Sequence, residues 1–134
     1  MKHSKIYYQN RKILRELKYD QVIYRPTIKD CRKWFDILNE QIFGNKLEPI
    51  ECLKIKRLKN AHAFFNYWPK HEEQDPEIDI NYKYKDKKMF VEILAHEMIH
   101  YFQYSYDEPL GHGPTFWAWR DNLKLKGLTL HKVA

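Results

Sequence analysis

Residues 89–102 read MFVEILAHEMIHYF, and this stretch constrains the fold more than any other in the chain. Its strongly polar side chains are Glu92, His96, Glu97 and His100; the other positions are apolar or aromatic. A helix that is apolar nearly all round belongs inside a domain, not on its surface. The rest of the chain must therefore wrap this segment and also satisfy two imidazoles and two carboxylates taken out of water. A buried charge left unpaired costs on the order of several kcal/mol, so partners are expected.

Spacing indicates one such partner. His96 and His100 lie one helical turn apart, with Cβ atoms about 5–6 Å from each other on the same face. Two imidazole nitrogens so placed can converge on one ion at roughly 2.0–2.1 Å. Glu97, one residue round the helix, can reach a water in the ion's open position, which is the mechanical content of an H-E-x-x-H pattern. A third ligand is expected from YDEPLGHGPTF, where Asp107, Pro109 and Gly111 make a turn and His112 precedes a new helix. The chain between His100 and His112 is long enough to finish one helix and return to the same ion. Three histidines and a water are the composition of a catalytic zinc site, whereas structural sites usually close with four protein ligands. The competing reading is a core of histidines bonded only to protein groups.

The remaining elements follow from periodicity. PTIKD supplies Thr27 as N-cap with Asp30 three residues later, and Ile28, Cys31, Trp34, Phe35, Leu38 and Ile42 then recur at helical spacing up to Gly44. ECLKIKRL, AHAFFNYW and EIDINY read as three strands, the last alternating cleanly. Asp86 can cap a second helix running to about Tyr104, and Pro114 can open a third running to Lys126 before Gly127. This order reads as an α+β domain whose small three-stranded sheet, antiparallel or mixed, packs against helices. EIDINY is expected at the sheet edge, with Asp79 and Asn81 facing away from the core and available to a substrate strand. Equally, that edge can be polar only to discourage aggregation. Glu92 shares a face with His96 and is a candidate to orient it. Tyr104 and Tyr106, on the way to His112, are candidate donors to a developing oxyanion.

A length of 134 residues fits a single domain. Residues 1–33 hold ten Lys/Arg against three acids, while residues 34–134 hold fourteen against fifteen, so the net positive charge is concentrated at the start. Such clustering attracts polyanions, nucleic acid first, with Arg11, Lys12, Arg15 and Lys18 as the candidate contacts on a loosely attached basic helix. A basic N-terminal extension over residues 1–26 and a catalytic domain over 27–134 are the expected divisions. Two cysteines without a CxxC exclude a disulfide framework and a zinc ribbon. No run of about 18 apolar residues is present, so no membrane-spanning helix is expected. The charged N-terminus lacks an apolar signal core, so a cytoplasmic or nucleoid-associated location is expected.

HEMIH followed by GHGPTF resembles the SprT-like zinc metallopeptidase family, which includes a DNA–protein crosslink protease. WFDILNEQIFGNKLEPI resembles that family's opening helix, and IKRLKNAHAFF with EIDINYKY resembles the strand pair before its metal helix. The resemblance covers roughly residues 28–126. It implies a zincin-like fold, zinc held by His96, His100 and His112, and Glu97 as the catalytic acid/base. It further implies a protein or peptide substrate; DNA, single-stranded or duplex, is the expected partner of the basic N-terminal segment. The alternative from another class is a nucleic-acid-binding module with a structural or inactive zinc site, its aromatic runs AFFNYW and YFQYSY stacking on bases.

Overall fold

A computed structural model describes residues 11–17 and 22–133. Among them the elements run α1 (Lys12–Leu17), α2 (Ile28–Gln41), β1 (Cys52–Lys56), β2 (Ala63–Asn66), a 3-10 turn (Lys70–Glu72), β3 (Glu77–Asn81), α3 (Lys87–Ser105), α4 (Pro114–Trp117) and α5 (Arg120–Leu125). The α+β class is as expected.

Each main helix starts on the expected cap. The Thr27 hydroxyl accepts from the Asp30 N–H at 3.1 Å while the Asp30 carboxylate accepts from the Thr27 N–H at 3.0 Å. Loss of such a cap costs about 1 kcal/mol. After α2, Gly44 takes φ +61°, a left-handed conformation that glycine adopts without penalty. The Asn45 N–H there reaches back to the Asn39 carbonyl at 2.8 Å. At the start of α3, the Asp86 carboxylate accepts from the Met89 N–H at 2.8 Å. Every residue from Phe90 to Ile99 is buried. The all-round apolar composition has its expected consequence: α3 packs against β2 on one side and α2 on another.

The sheet is mixed, in the order β1-β3-β2, with β3 parallel to β1 and antiparallel to β2. This corrects the expectation for EIDINY: β3 is the central strand, and β2 is the edge that borders α3. Asp79 and Asn81 do face away from the apolar core, yet Asp79 is not open to a substrate, and Asn81 is only partly exposed. Asp79 is 4% exposed, held by Lys56 at 3.1 Å and by the Asn66 amide at 2.7 Å. The Asn81 side-chain oxygen accepts from the Leu58 N–H at 3.0 Å. Lys54 and Lys56 of β1 reach across to Glu77 at 2.9 and 3.3 Å. A carboxylate face can thus be covered from the neighbouring strand, and alternation alone does not reveal which strand is the neighbour.

Two further expectations change. The predicted third helix is interrupted at Ala118–Trp119, where Trp119 packs against Phe43 and Phe102 at centroid distances of 4.7 and 4.9 Å. The N-terminal segment is not loosely attached where described: Ile13 is fully buried, Leu17 nearly so, and both join the core. Tyr24 bridges to Tyr84 through paired backbone hydrogen bonds of 2.9 and 2.8 Å, tying residues before 27 to the sheet side of the domain.

Candidate metal centre

His96 and His100 project from the same face of α3, and the loop after that helix carries His112 back beside them. Two backbone features make the return possible. Asp107 takes φ +55° just past the helix end, and Gly111 takes φ +129°, a region L side chains rarely adopt. Gly113 then precedes Pro114 at the first turn of α4. The three Nε2 atoms stand 3.2 Å (His96–His100), 3.3 Å (His100–His112) and 3.2 Å (His96–His112) apart. Nitrogens bound tetrahedrally to one ion at 2.0–2.1 Å are separated by roughly 3.3 Å. The three expected ligands are therefore brought together with a spacing that fits one ion, and they form a group able to hold a metal.

Hydrogen bonding on the far side of each ring shows why this cluster suits a cation. His96 Nδ1 lies 2.6 Å from the His131 carbonyl oxygen, which can only accept, so Nδ1 carries the hydrogen. His100 Nδ1 lies 2.9 Å from Gln103 Oε1. The Gln103 amide is oriented by its other bonds: Oε1 accepts from the Gly111 N–H at 3.3 Å, while Nε2 donates to the Gly111 carbonyl at 3.1 Å and to Thr115 Oγ1 at 3.0 Å. His100 must then also donate through Nδ1. In a neutral imidazole with Nδ1–H, Nε2 is a bare lone pair. Two such lone pairs therefore face each other at 3.2 Å. Protonating a ring would relieve this, but burial pushes the His96 pKa down to about 4 and lowers that of His100. A bound cation resolves the conflict and needs the neutral rings that burial favours.

Phe116 of α4, fully buried, packs against all three rings at centroid distances of 4.8, 5.4 and 4.7 Å. Glu97 is 3% exposed, with Oε1 4.0 Å from His96 Nε2, and burial raises its carboxyl pKa to about 8. The centre opens into a cleft of about 500 Å³ bounded by Phe64, Phe65 and Tyr67 from β2 and the residue beyond it, by Leu110, and by Lys132 and Val133.

Other candidates are placed differently. The Tyr104 hydroxyl donates to the Trp68 carbonyl at 3.2 Å and the Tyr106 hydroxyl to the Lys46 carbonyl at 2.6 Å, so both are engaged away from the histidines. Tyr67, half exposed, lines the cleft instead. Glu92 reaches His96 through an intermediary: its carboxylate meets the His131 side chain, and the His131 carbonyl accepts from His96. Arg11 and Arg15 are exposed, and Lys12 lies 3.5 Å from Glu40. Lys18 lies outside the described residues. Sequence reasoning missed Gln103, Phe116 and His131. Gln103 was within reach, since it follows His100 at i+3 on one helical face.

Three histidines able to hold a metal ion, two of them on a buried helix with a carboxylate beside them, define a metallopeptidase-type centre. The chain belongs to the SprT-like family, whose model matches residues 31–132 and so takes in all three histidines, Glu97 and His131. No curated protein matches the chain.

Proposed function

We propose that the protein is a zinc-dependent peptidase with a zincin-like fold, in which His96, His100 and His112 hold the ion and Glu97 is the general acid/base. The observation that carries this reading is the pair of bare Nε2 lone pairs facing each other at 3.2 Å, with a third imidazole at matching distance. Zinc held there would act as a Lewis acid, polarising a peptide carbonyl and making water a nucleophile near neutral pH. Glu97, beside the triad, takes the proton from the attacking water and hands it to the leaving amine. Tyr67 and Lys132 are the donors in the cleft from which oxyanion stabilisation can come. A purely structural metal site has no use for a buried carboxylate at this position, which weighs against an inactive nucleic-acid-binding module.

The substrate strand is assigned to β2. Asn81 N–H donates to the His62 carbonyl, and alternation in an antiparallel ladder then points the N–H and C=O of Ala63 and Phe65 away from β3. Those groups lie on the edge that borders the cleft, where an extended peptide can add as a further strand. The test is hydrolysis of an unstructured peptide by zinc-loaded protein, compared with the same peptide N-methylated at backbone amides beside the scissile bond. Cleavage is expected only with metal, with KM raised by methylation on the residues that pair with β2. No turnover above background would end the peptidase reading, and indifference to methylation everywhere would end the strand assignment.

DNA-bound or DNA-crosslinked proteins are the proposed substrates, engaged through the basic residues near the N-terminus, and a cytoplasmic or nucleoid-associated setting goes with them. Contacts of this kind release counterions, so affinity should fall steeply with salt and depend little on base sequence. Reversing Arg11, Lys12, Arg15 and Lys18 to glutamate should weaken DNA binding while zinc content and peptide cleavage stay near wild type. Salt-independent binding, or none at low salt, would leave a DNA-indifferent peptidase.

A further inference from the structure

We propose that Glu92 and His131 are positioning residues: they latch the chain segment after α5 onto α3 and so hold the ring of the metal ligand His96. The proposal rests on the metal reading of the histidine triad. Glu92 lies one turn before His96 on α3 and is 6% exposed. Its Oε2 accepts from the Thr129 N–H at 2.7 Å, and its Oε1 meets His131 Nε2 at 2.9 Å. Lys88, one turn earlier on the same helix, stands 3.9 Å away. Flanking these contacts, Leu128 and Leu130 are buried in the core. The segment is thus fixed by polar bonds into Glu92 and by apolar side chains into the interior.

The consequence for the centre comes from a single residue. The His131 side chain binds Glu92, while the His131 carbonyl accepts the Nδ1–H of His96 at 2.6 Å. Fixing that carbonyl fixes both the tautomer and the plane of the His96 ring, which leaves Nε2 bare and aimed at the other two ligands. A buried carboxylate that made no such bonds would be costly, so Glu92 needs the segment as much as the segment needs Glu92. The next two residues, Lys132 and Val133, line the cleft with β2, so the same latch also sets one boundary of the cleft. The His131 side chain is 38% exposed, so its removal opens no void in the core. A latch and a packing role are therefore separable.

The experiment compares full-length wild type, His131→Ala, His131→Gln and Glu92→Gln. Zinc affinity is measured by chelator competition, and ligand geometry by the visible spectrum after cobalt substitution. Outer partners of a metal-bound histidine are typically worth ~10–100-fold in metal affinity, and a weakening of that order is expected for His131→Ala. A glutamine amide nitrogen extends about as far as histidine Nε2 and restores a donor to Glu92, so His131→Gln should recover most of the loss and the wild-type cobalt spectrum. Glu92→Gln keeps the side-chain volume but cannot accept from both Thr129 and His131, and should weaken zinc in the same direction. Wild-type affinity in His131→Ala, or no recovery in His131→Gln, would overturn the latch while leaving the metal site intact. A wild-type protein that binds no zinc would remove the metal reading itself, and the latch with it.

Discussion

Glu97→Gln should retain zinc and lose ~10²–10⁴-fold in peptide cleavage, the usual worth of a positioned acid/base. The substitution preserves the shape of a side chain that is 3% exposed and 4.0 Å from His96 Nε2, but the amide cannot accept a proton from water. Loss of zinc in this variant would make Glu97 a ligand and refute its assignment. A second readout comes from stability without metal. Burial raises the Glu97 pKa from its ordinary 4.5 to about 8, so the fold favours the protonated form. The stability this contributes is complete below about pH 4.5 and is lost as pH rises through about 8. Chelated wild type should therefore fall behind chelated Glu97→Gln as pH increases from 5 to 8.5. His96, pushed down to about 4, has the opposite slope, losing its contribution as pH falls through that value, but it is common to both proteins and cancels in the difference. Melting temperatures at the two pH values decide the point; a constant gap would mean that burial does not hold the Glu97 carboxyl protonated.

The centre was legible in the sequence where its geometry is local. His96 and His100 share a helical face because they are four apart, Glu97 follows from adjacency, and the burial of α3 follows from the scarcity of polar residues in MFVEILAHEMIHYF. His112 was legible because the turn residues Asp107, Pro109 and Gly111 encode a reversal at the right distance. The caps Thr27 and Asp86 were legible for the same reason, since each hydrogen bond closes within three residues. What was hidden depends on contacts between distant segments. The alternation in EIDINY defines two faces but not neighbours, so the insertion of β3 between β1 and β2 could not be read from it. Nor could the covering of Asp79 by Lys56 and Asn66. Ile13 and Leu17 sit among so many lysines and arginines that charge outweighed two buried side chains in the reading of that segment. His131 was invisible because it meets His96 through a backbone carbonyl, which carries no signal in residue identity, and meets Glu92 from 39 residues away.

The second large effect is expected at His112. Its ring is carried by a loop and the residue is exposed, so truncation to alanine takes no side chain out of the core formed by α3 and its neighbours. Its Nε2 nevertheless closes the triangle with His96 and His100 at 3.2 and 3.3 Å. Without it two imidazoles remain, and the pair on α3 cannot by itself complete a three-ligand site. Removal of a direct ligand should exceed the ~10–100-fold cost of losing an outer partner, so His112→Ala should come through desalting without stoichiometric zinc. Cleavage should be lost in parallel, while far-UV circular dichroism keeps the wild-type helical signal. His62→Ala serves as the comparison, because His62 lies outside the triad and should keep its metal. The assignment fails if His112→Ala retains the wild-type metal content, for then the loop histidine is a bystander and the third ligand lies elsewhere. It fails as well if both alanine variants lose zinc equally, since the loss would then report on histidine number and not on the geometry of this centre.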